Sequence, residues 1–261
     1  MRLPYSFPIN TTQIMGILNL TPDSFSDGGD YMNPGAALRR ALEIQAEGAD
    51  ILDVGAQSTR PRHVRISAEE EMRRLLPVLE ALRSVICVPI SIDTFYPEVA
   101  KAALERGAAI INDVSGRADA EMAKVIRMHD AGWILTHNGP GSPEKVKAAL
   151  ASMVSEALAA GLRRERLCVD PGIGFGKSRG EDLALLRGVT RLRLEGLALL
   201  IGASRKRVVD FAAGGGTAPG ERLAGTIAAH TAAQLGGANI LRAHDVKEAV
   251  QAMRVTHNIL G

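Results

Sequence analysis

Short, nearly continuous apolar runs recur along the chain, separated by longer stretches whose apolar residues fall at helical spacing. The runs are Gln13–Leu20, Ala49–Gly55, Val88–Asp93, Ala109–Val114, Gly132–His137, Leu167–Pro171, Leu197–Ala203 and Asn239–His244. Mostly apolar, with polar residues at the end, they predict strands buried on both faces of a parallel sheet. The stretches between them predict helices. Pro34–Ile44 opens with a proline suited to a first turn. Ser67, with Glu70 three residues on, has the capping-box spacing and leads into Met72, Leu75, Leu76 and Leu79. Pro143–Ala160, Glu221–Leu235 and Asp245–Ile259 continue the pattern. Eight strand–helix units result. No Ser/Pro-rich linker or break in composition separates them, so residues 1–261 read as one domain.

Eight such units either close into a barrel or form an open doubly wound sheet. The polar residues distinguish the two. Asn19, Asp53, Asp93, Asn112, Asp113, His137, Asp170, Ser204, Arg242 and His244 sit at or just after the C-terminal ends of the runs. An open sheet concentrates its ligand groups near one switch point, whereas a barrel gathers them from every strand at one mouth. All eight runs contribute, so the expected fold is an α/β barrel of (β/α)8 type with its active site at the C-terminal face.

Composition narrows the class. Lys and Arg number 31 against 29 Asp and Glu, and so small an excess is no nucleic-acid footprint. With 46% hydrophobic and 23% charged residues, the chain is neither disordered nor a disulfide-dense secreted module. Cys87 and Cys168 lack CxxC spacing and predict buried free thiols in a reducing compartment, not a zinc or redox site. The first apolar run is short, is interrupted by Asn19 and has no cleavage site after it. No run approaches the ~20 residues that cross a bilayer. A cytoplasmic protein with neither membrane nor nucleic-acid partners is expected.

The candidate chemistry lies in the loops after the strands. Asn19–Gly29 is long and polar, with Pro22 and two closing glycines, and is suited to folding over a ligand. Gly55–Arg65 carries Arg60, Arg62, His63 and Arg65, a local basic cluster that suits an anionic substrate. Asp93, Asn112 and Asp170 each follow apolar sequence, and a buried carboxylate needs partners. Three such groups at one mouth suit a polar heterocycle with amino and ring N–H donors. Pro171–Ser178 imitates a P-loop, but Pro171 stands where that motif needs glycine. The alternative is a Gly-rich loop that brings backbone and Phe175 close to a planar substrate. Ser204-Arg-Lys-Arg207 ends the seventh strand in cations. Arg242 and His244, two apart on one strand face, form a candidate anion clamp. His129, His230 and His257 fall in helical segments and read as structural or surface residues. No His, Cys or Glu spacing suggests a transition metal; the expected ion is Mg2+, on an oxygen such as that of Asn19 and on substrate phosphate.

These segments resemble the dihydropteroate synthase family. The matching stretches are Met15–Gly29, Asp53–Gly55 with Ser58–Pro61, Ser91–Thr94, Ile111–Gly116, Asp170–Lys177, Ser204–Lys206 and Arg242–Asp245. They follow the family's order over nearly the whole chain, and the ordered set is far more specific than any single stretch. The resemblance implies a TIM barrel that condenses 6-hydroxymethyl-7,8-dihydropterin pyrophosphate with 4-aminobenzoate, giving 7,8-dihydropteroate and pyrophosphate. It implies that Asp93, Asn112, Asp170, Lys206 and Arg242 bind the pterin. Asn19, Arg60, Arg242 and His244 would meet the pyrophosphate, with Asn19 on Mg2+. Thr59, Arg60, Pro61, Phe175 and Ser204 would shape the aminobenzoate pocket. Asp93, Lys206, Arg242 and Asn19 would carry the catalysis, and a homodimer is implied. Two mobile loops of the family correspond to residues 20–33 and 56–66.

The chemistry suggests a dissociative substitution in which pyrophosphate leaves once its charge is neutralised and a carboxylate such as Asp93 stabilises the cation. Gln57 departs from the family's usual Glu, Arg62 from Gly, Thr136 from Met and Arg207 from Ser. These departures leave sulfonamide sensitivity open. Two alternatives are a methyltetrahydrofolate:corrinoid methyltransferase, which would lack the aminobenzoate elements, and a silent pterin-binding paralogue. Pyrophosphate release that requires aminobenzoate and Mg2+ separates all three.

Overall fold

A computed structural model describes residues 5–20, 34–57 and 65–260. Eight parallel strands close into a barrel in chain order: β1 Gln13–Asn19, β2 Ile51–Gly55, β3 Ile90–Asp93, β4 Ile110–Asp113, β5 Gly132–Thr136, β6 Leu167–Asp170, β7 Ala198–Ile201 and β8 Ile240–Ala243. Each lies within one of the apolar runs read from the sequence. Helices α1 Pro34–Ala46, α2 Ala68–Leu82, α3 Pro97–Leu104, α4 Ala120–His129, α5 Pro143–Ala159, α6 Arg179–Arg187, α7 Val189–Leu192, α8 Arg207–Ala212, α9 Leu223–Leu235 and α10 Val246–Leu260 surround it. None of the described helices is long and apolar enough to cross a membrane.

Strand alternation creates two cores. Ile14, Leu52, Ile92, Ile111, Trp133, Val169, Leu199 and Leu241 face outward and pack under the helices. Met15, Ile51, Ile110, Ile134, Cys168, Leu200 and Ile240 face inward and fill the barrel. Each fully buried large aliphatic side chain contributes about 1.5–3 kcal/mol, so the continuous apolar runs favour burial on both faces. Phe7 plugs the N-terminal end, and a Cβ on Gly132 would lie 3.0 Å from its ring.

Three local readings need correction. Ser67 caps α2 by accepting from Glu70 N, but the Glu70 carboxylate does not return to Ser67. It pairs instead with Arg73 and Arg74, whose charges outcompete the neutral N–H. The reciprocal box forms at α6 instead, between Ser178 and Glu181. Cys87 is exposed, because it lies in the turn before β3; only Cys168 is buried. The helix expected from Glu221 starts at Leu223, after a short 3-10 turn at Pro219–Glu221.

Candidate functional site

Each strand turns alternate residues inward, so the inward register continues from the apolar interior to a polar layer at the C-terminal mouth. Asp53 pairs in register with Ser91, Asp93 with Asn112, and Thr136 with Asp170. The Asp93, Asn112 and Asp170 side chains, expected to converge, occupy this end of the barrel and are buried. Asn19 ends β1 and is half-buried. Asp113, grouped with them in the sequence, belongs to the opposite parity. It accepts from Ser115 N at 2.8 Å and from Trp133 Nε1 at 3.3 Å, a structural role behind the sheet.

Arg242 organises the mouth. Its Nε donates to Asp53 Oδ2 at 2.7 Å and its Nη2 to Asp93 Oδ2 at 2.9 Å. Burial works against the guanidinium charge, but Asp53 and Asp93 outweigh it and raise the pKa. Burial pushes the Asp93 carboxyl above the usual carboxylate range; Arg242 opposes the rise, while Asp53 and Glu71 add to it. Asn112 Nδ2 donates to Asp53 Oδ2 at 3.3 Å, leaving Asn112 Oδ1 buried without a hydrogen-bond partner. Thr136 Oγ1 is also buried and unpartnered. The mouth therefore presents acceptors that the protein itself does not satisfy, a feature that carries a cost unless a ligand supplies donors.

Asp170 accepts from Gly172 N at 2.8 Å. Burial raises its pKa, and Lys206 is the strongest opposing charge. Lys206 donates to Ile173 O at 2.5 Å, and its Nζ lies 4.8 Å from the centre of the Phe175 ring. Burial pulls its pKa down to about 8, with Asp170 resisting. The loop that carries Phe175 is built around Lys177. The Lys177 ammonium donates to His137 O, Gly172 O and Phe175 O at 3.2, 2.9 and 3.2 Å, using all three of its protons. Gly172 must be glycine: its φ is +69°, and a Cβ there would lie 1.8 Å from His137 O. The P-loop imitation thus points its lysine inward as a strut.

Ser204 and His244 meet across the β7 and β8 ends. Ser204 Oγ accepts from His244 N at 3.1 Å and lies 3.0 Å from His244 Nδ1. With the hydroxyl proton assigned to Nδ1, the ring proton rests on Nε2. Burial, aided by Arg242, lowers the His244 pKa to about 3, so it offers a neutral donor, not a second cation. Arg207, considered for the aminobenzoate carboxylate, is exposed at the start of α8.

Thr59, Arg60, Pro61, Arg62 and His63 lie outside the described residues, as does most of Asn19–Gly29. The described base of the second loop is tied down. Gln57 Oε1 accepts from Ile66 N at 3.0 Å, Tyr96 OH donates to Ile66 O at 2.8 Å, and Arg65 stacks 3.9 Å above Phe95.

Asp53, grouped with the strand ends by its sequence, sits mid-strand, one layer below, as the second anchor of Arg242. Lys177 as a strut and Glu71 as a carboxylate on α2 that acts on Asp93 were not evident from the sequence. Periodicity could have flagged Glu71, which falls on the buried α2 stripe with Leu75, Val78 and Leu82.

A family model described as "Pterin binding enzyme" matches residues 15–244. A dihydropteroate synthase of Streptococcus pyogenes is 44% identical over 241 residues, covering 90% of each chain. A mitochondrial folate synthesis bifunctional protein of pea is 44% identical over 277 residues; the match covers 95% of this chain and 53% of the pea protein. The chain therefore spans about half that relative's length. The solved Xanthomonas albilineans dihydropteroate synthase with 4-aminobenzoic acid superposes with a TM-score of 0.92 at 39% identity, covering 97% of this chain and 94% of the other.

Proposed function

The chain belongs to the dihydropteroate synthases of the pterin-binding enzyme family, and on that premise we propose how its mouth performs their condensation. The reaction joins 6-hydroxymethyl-7,8-dihydropterin pyrophosphate to 4-aminobenzoate, giving 7,8-dihydropteroate and pyrophosphate. The observation that carries the assignment of roles is the set of unsatisfied acceptors around Arg242. Asn112 Oδ1 and the Asp170 carboxylate stand ready for the amino and ring N–H donors of a pterin. Asp93, already beside Arg242, accepts from the same heterocycle, while Lys206 leaves Ile173 O to reach it. Phe175 and Ser204 are assigned to the aminobenzoate side, the role that the family resemblance also gives Thr59, Arg60 and Pro61.

The substitution is dissociative. The bond from the exocyclic methylene carbon to the diphosphate oxygen breaks, and its electron pair leaves with pyrophosphate. The cation left on the methylene carbon is shared with the pterin ring and stabilised by Asp93. The aniline nitrogen then donates its lone pair to that carbon and loses a proton to solvent or the departing pyrophosphate. Arg242, Arg60 and the His244 Nε2 proton favour departure by meeting the diphosphate oxygens.

Asn19 offers a half-buried amide oxygen at the β1 end. It is a hard neutral donor of the kind magnesium takes alongside phosphate oxygens, which fits an ion that arrives with the substrate. Bound there, Mg2+ would offset charge on the diphosphate. A homodimer is supported by exposed large apolar side chains on two helices that pack on each other: Leu235 ends α9, and Val255 and Ile259 lie one turn apart on α10, at 57%, 52% and 77% exposure. Sedimentation of a Val255→Glu/Ile259→Glu variant at the monomer mass would support this, and an unchanged mass would remove it. The catalytic reading is tested by pyrophosphate release. Sustained release over many turnovers should require both 4-aminobenzoate and Mg2+; continued turnover without aminobenzoate, or none with both, overturns it.

A further inference from the structure

Between β7 and α8 the chain makes a tight turn, closed by Lys206 N donating to Ala203 O at 3.1 Å. Its third residue, Arg205, has φ +58°, a left-handed conformation that turns of this kind usually reserve for glycine or asparagine. Of the described non-glycine residues only Asp130 shares this sign of φ, and Asp130 simply ends α4. Arg205 lies instead between two residues of the mouth, Ser204 and Lys206. A strained conformation of this sort persists only where its surroundings over-determine it.

The surroundings are a stripe formed by α9 and its N-cap residue, Arg222. Arg222, Thr226 and His230 stand four residues apart, so they project from one face across two helical turns. All three bond the same turn. His230 Nε2 accepts from Ala203 N at 3.4 Å, Thr226 Oγ1 accepts from Arg205 N at 3.0 Å, and Arg222 Nη1 donates to Arg205 O at 3.0 Å. Both polar groups of the Arg205 peptide backbone are thus fixed by one helix. Thr226 and His230 are buried, and the contacts they make are with the backbone of this turn. The Arg205 side chain runs the other way and forms a two-armed pair with Asp245, the neighbour of His244. That pair is a third exposed on its arginine side and would stabilise little as an isolated surface bridge. Its geometric effect is to tie the end of β7 to the end of β8.

We propose that Arg205, held left-handed by Thr226 of α9 and by Arg222 at its N-cap and tied to Asp245, is a positioning residue that aims Ser204 at His244 and Lys206 into the mouth. With φ at its usual negative value, the turn would redirect the Lys206 stem and carry Ser204 away from His244. This inference rests on the functional reading above, since it assumes that Ser204 and Lys206 meet substrate.

The test is steady-state kinetics on the enzyme at 25 °C, with melting followed in parallel. Thr226→Val removes the acceptor for Arg205 N without changing side-chain size, and should lower kcat/KM for 4-aminobenzoate about tenfold. Thr226→Ser keeps the acceptor and should restore activity to within about twofold of the unaltered chain. Arg205→Gly accepts the left-handed conformation freely, whereas Arg205→Ala does not, so the glycine variant should exceed the alanine variant by about fivefold. Equal activities of the two Arg205 variants, with Thr226→Val unaffected, would mean that the left-handed turn does not aim Ser204 and Lys206, and would overturn the proposal. A lower melting temperature with unchanged kinetics would mean a purely structural stripe, and would overturn it equally. If the unaltered chain releases no pyrophosphate with both substrates, the functional reading fails and takes this inference with it. Variant failure with an active parent sinks the inference alone.

Discussion

Glu71 lies in the first turns of α2, 1% exposed, with both carboxylate oxygens shut off from solvent. Burial pushes its pKa from the ordinary 4.5 to about 7; the Thr94 hydroxyl and Arg65 oppose the rise, and Glu98 adds to it. The substitution Glu71→Gln keeps the shape and removes the titration. In the unfolded chain Glu71 ionises near 4.5, and in the folded protein it keeps its proton to about 7. Below 4.5 both states are protonated, and burial carries no charge penalty. Between these values the unfolded chain sheds a proton that the folded chain retains, so stability falls as pH rises, and above 7 the deficit is constant. At about 1.4 kcal/mol per pH unit the full deficit is about 3 kcal/mol. The variant should therefore match the parent in thermal melts near pH 4. At pH 8 it should melt about 6–12 °C higher, at ~2–4 °C per kcal/mol for a chain of this size. A gap that is absent, or equal at both pH values, would refute the buried-carboxyl argument. The same change withdraws one of the carboxylates that push Asp93 up, so the acid limb of the pH–rate profile should move to lower pH.

Three further outcomes follow from the same geometry. Asp93→Asn should lower kcat by about 10²–10³ while pterin affinity falls only a few-fold, measured by steady-state kinetics and calorimetry. Equal losses would count against a cation-stabilising carboxylate. Lys177→Met strands three carbonyls, and should lower stability by about 3 kcal/mol and raise the KM for aminobenzoate more than that for the pterin; chemical denaturation and initial rates check both. Gly172→Ala sets a Cβ against His137 O at a positive φ and should cost about 3 kcal/mol or more; a melting curve like the parent's would show that the loop can yield.

Much of this architecture was legible in the order of residues. A strand buried on both faces has to be apolar on both parities, so Ile90–Asp93 and Leu167–Asp170 announced themselves, and their closing aspartates marked the polar end. The barrel followed because every run ended this way. Asp93, Asn112, Asp170, Lys206 and Arg242 could be assigned to one mouth from topology alone, since a closed parallel sheet leaves its strand ends no other place to go.

What the sequence could not supply was who touches whom across the barrel. Asp53 reads as one more strand aspartate, and only closure brings it to Arg242, 189 positions away. Lys177 sits in a phosphate-loop imitation, and its true partners are carbonyls gathered from two strand ends. Ser67 and Glu70 had the spacing of a reciprocal cap, yet the arginines beside Glu70 took its carboxylate. Arg222, Thr226 and His230 are unremarked polar positions in an alanine-rich helix until the helix is laid against the turn it holds. Periodicity records which side of an element is apolar. The partner met by a polar group depends on distances between segments remote in the chain, and those distances exist only once the barrel has closed.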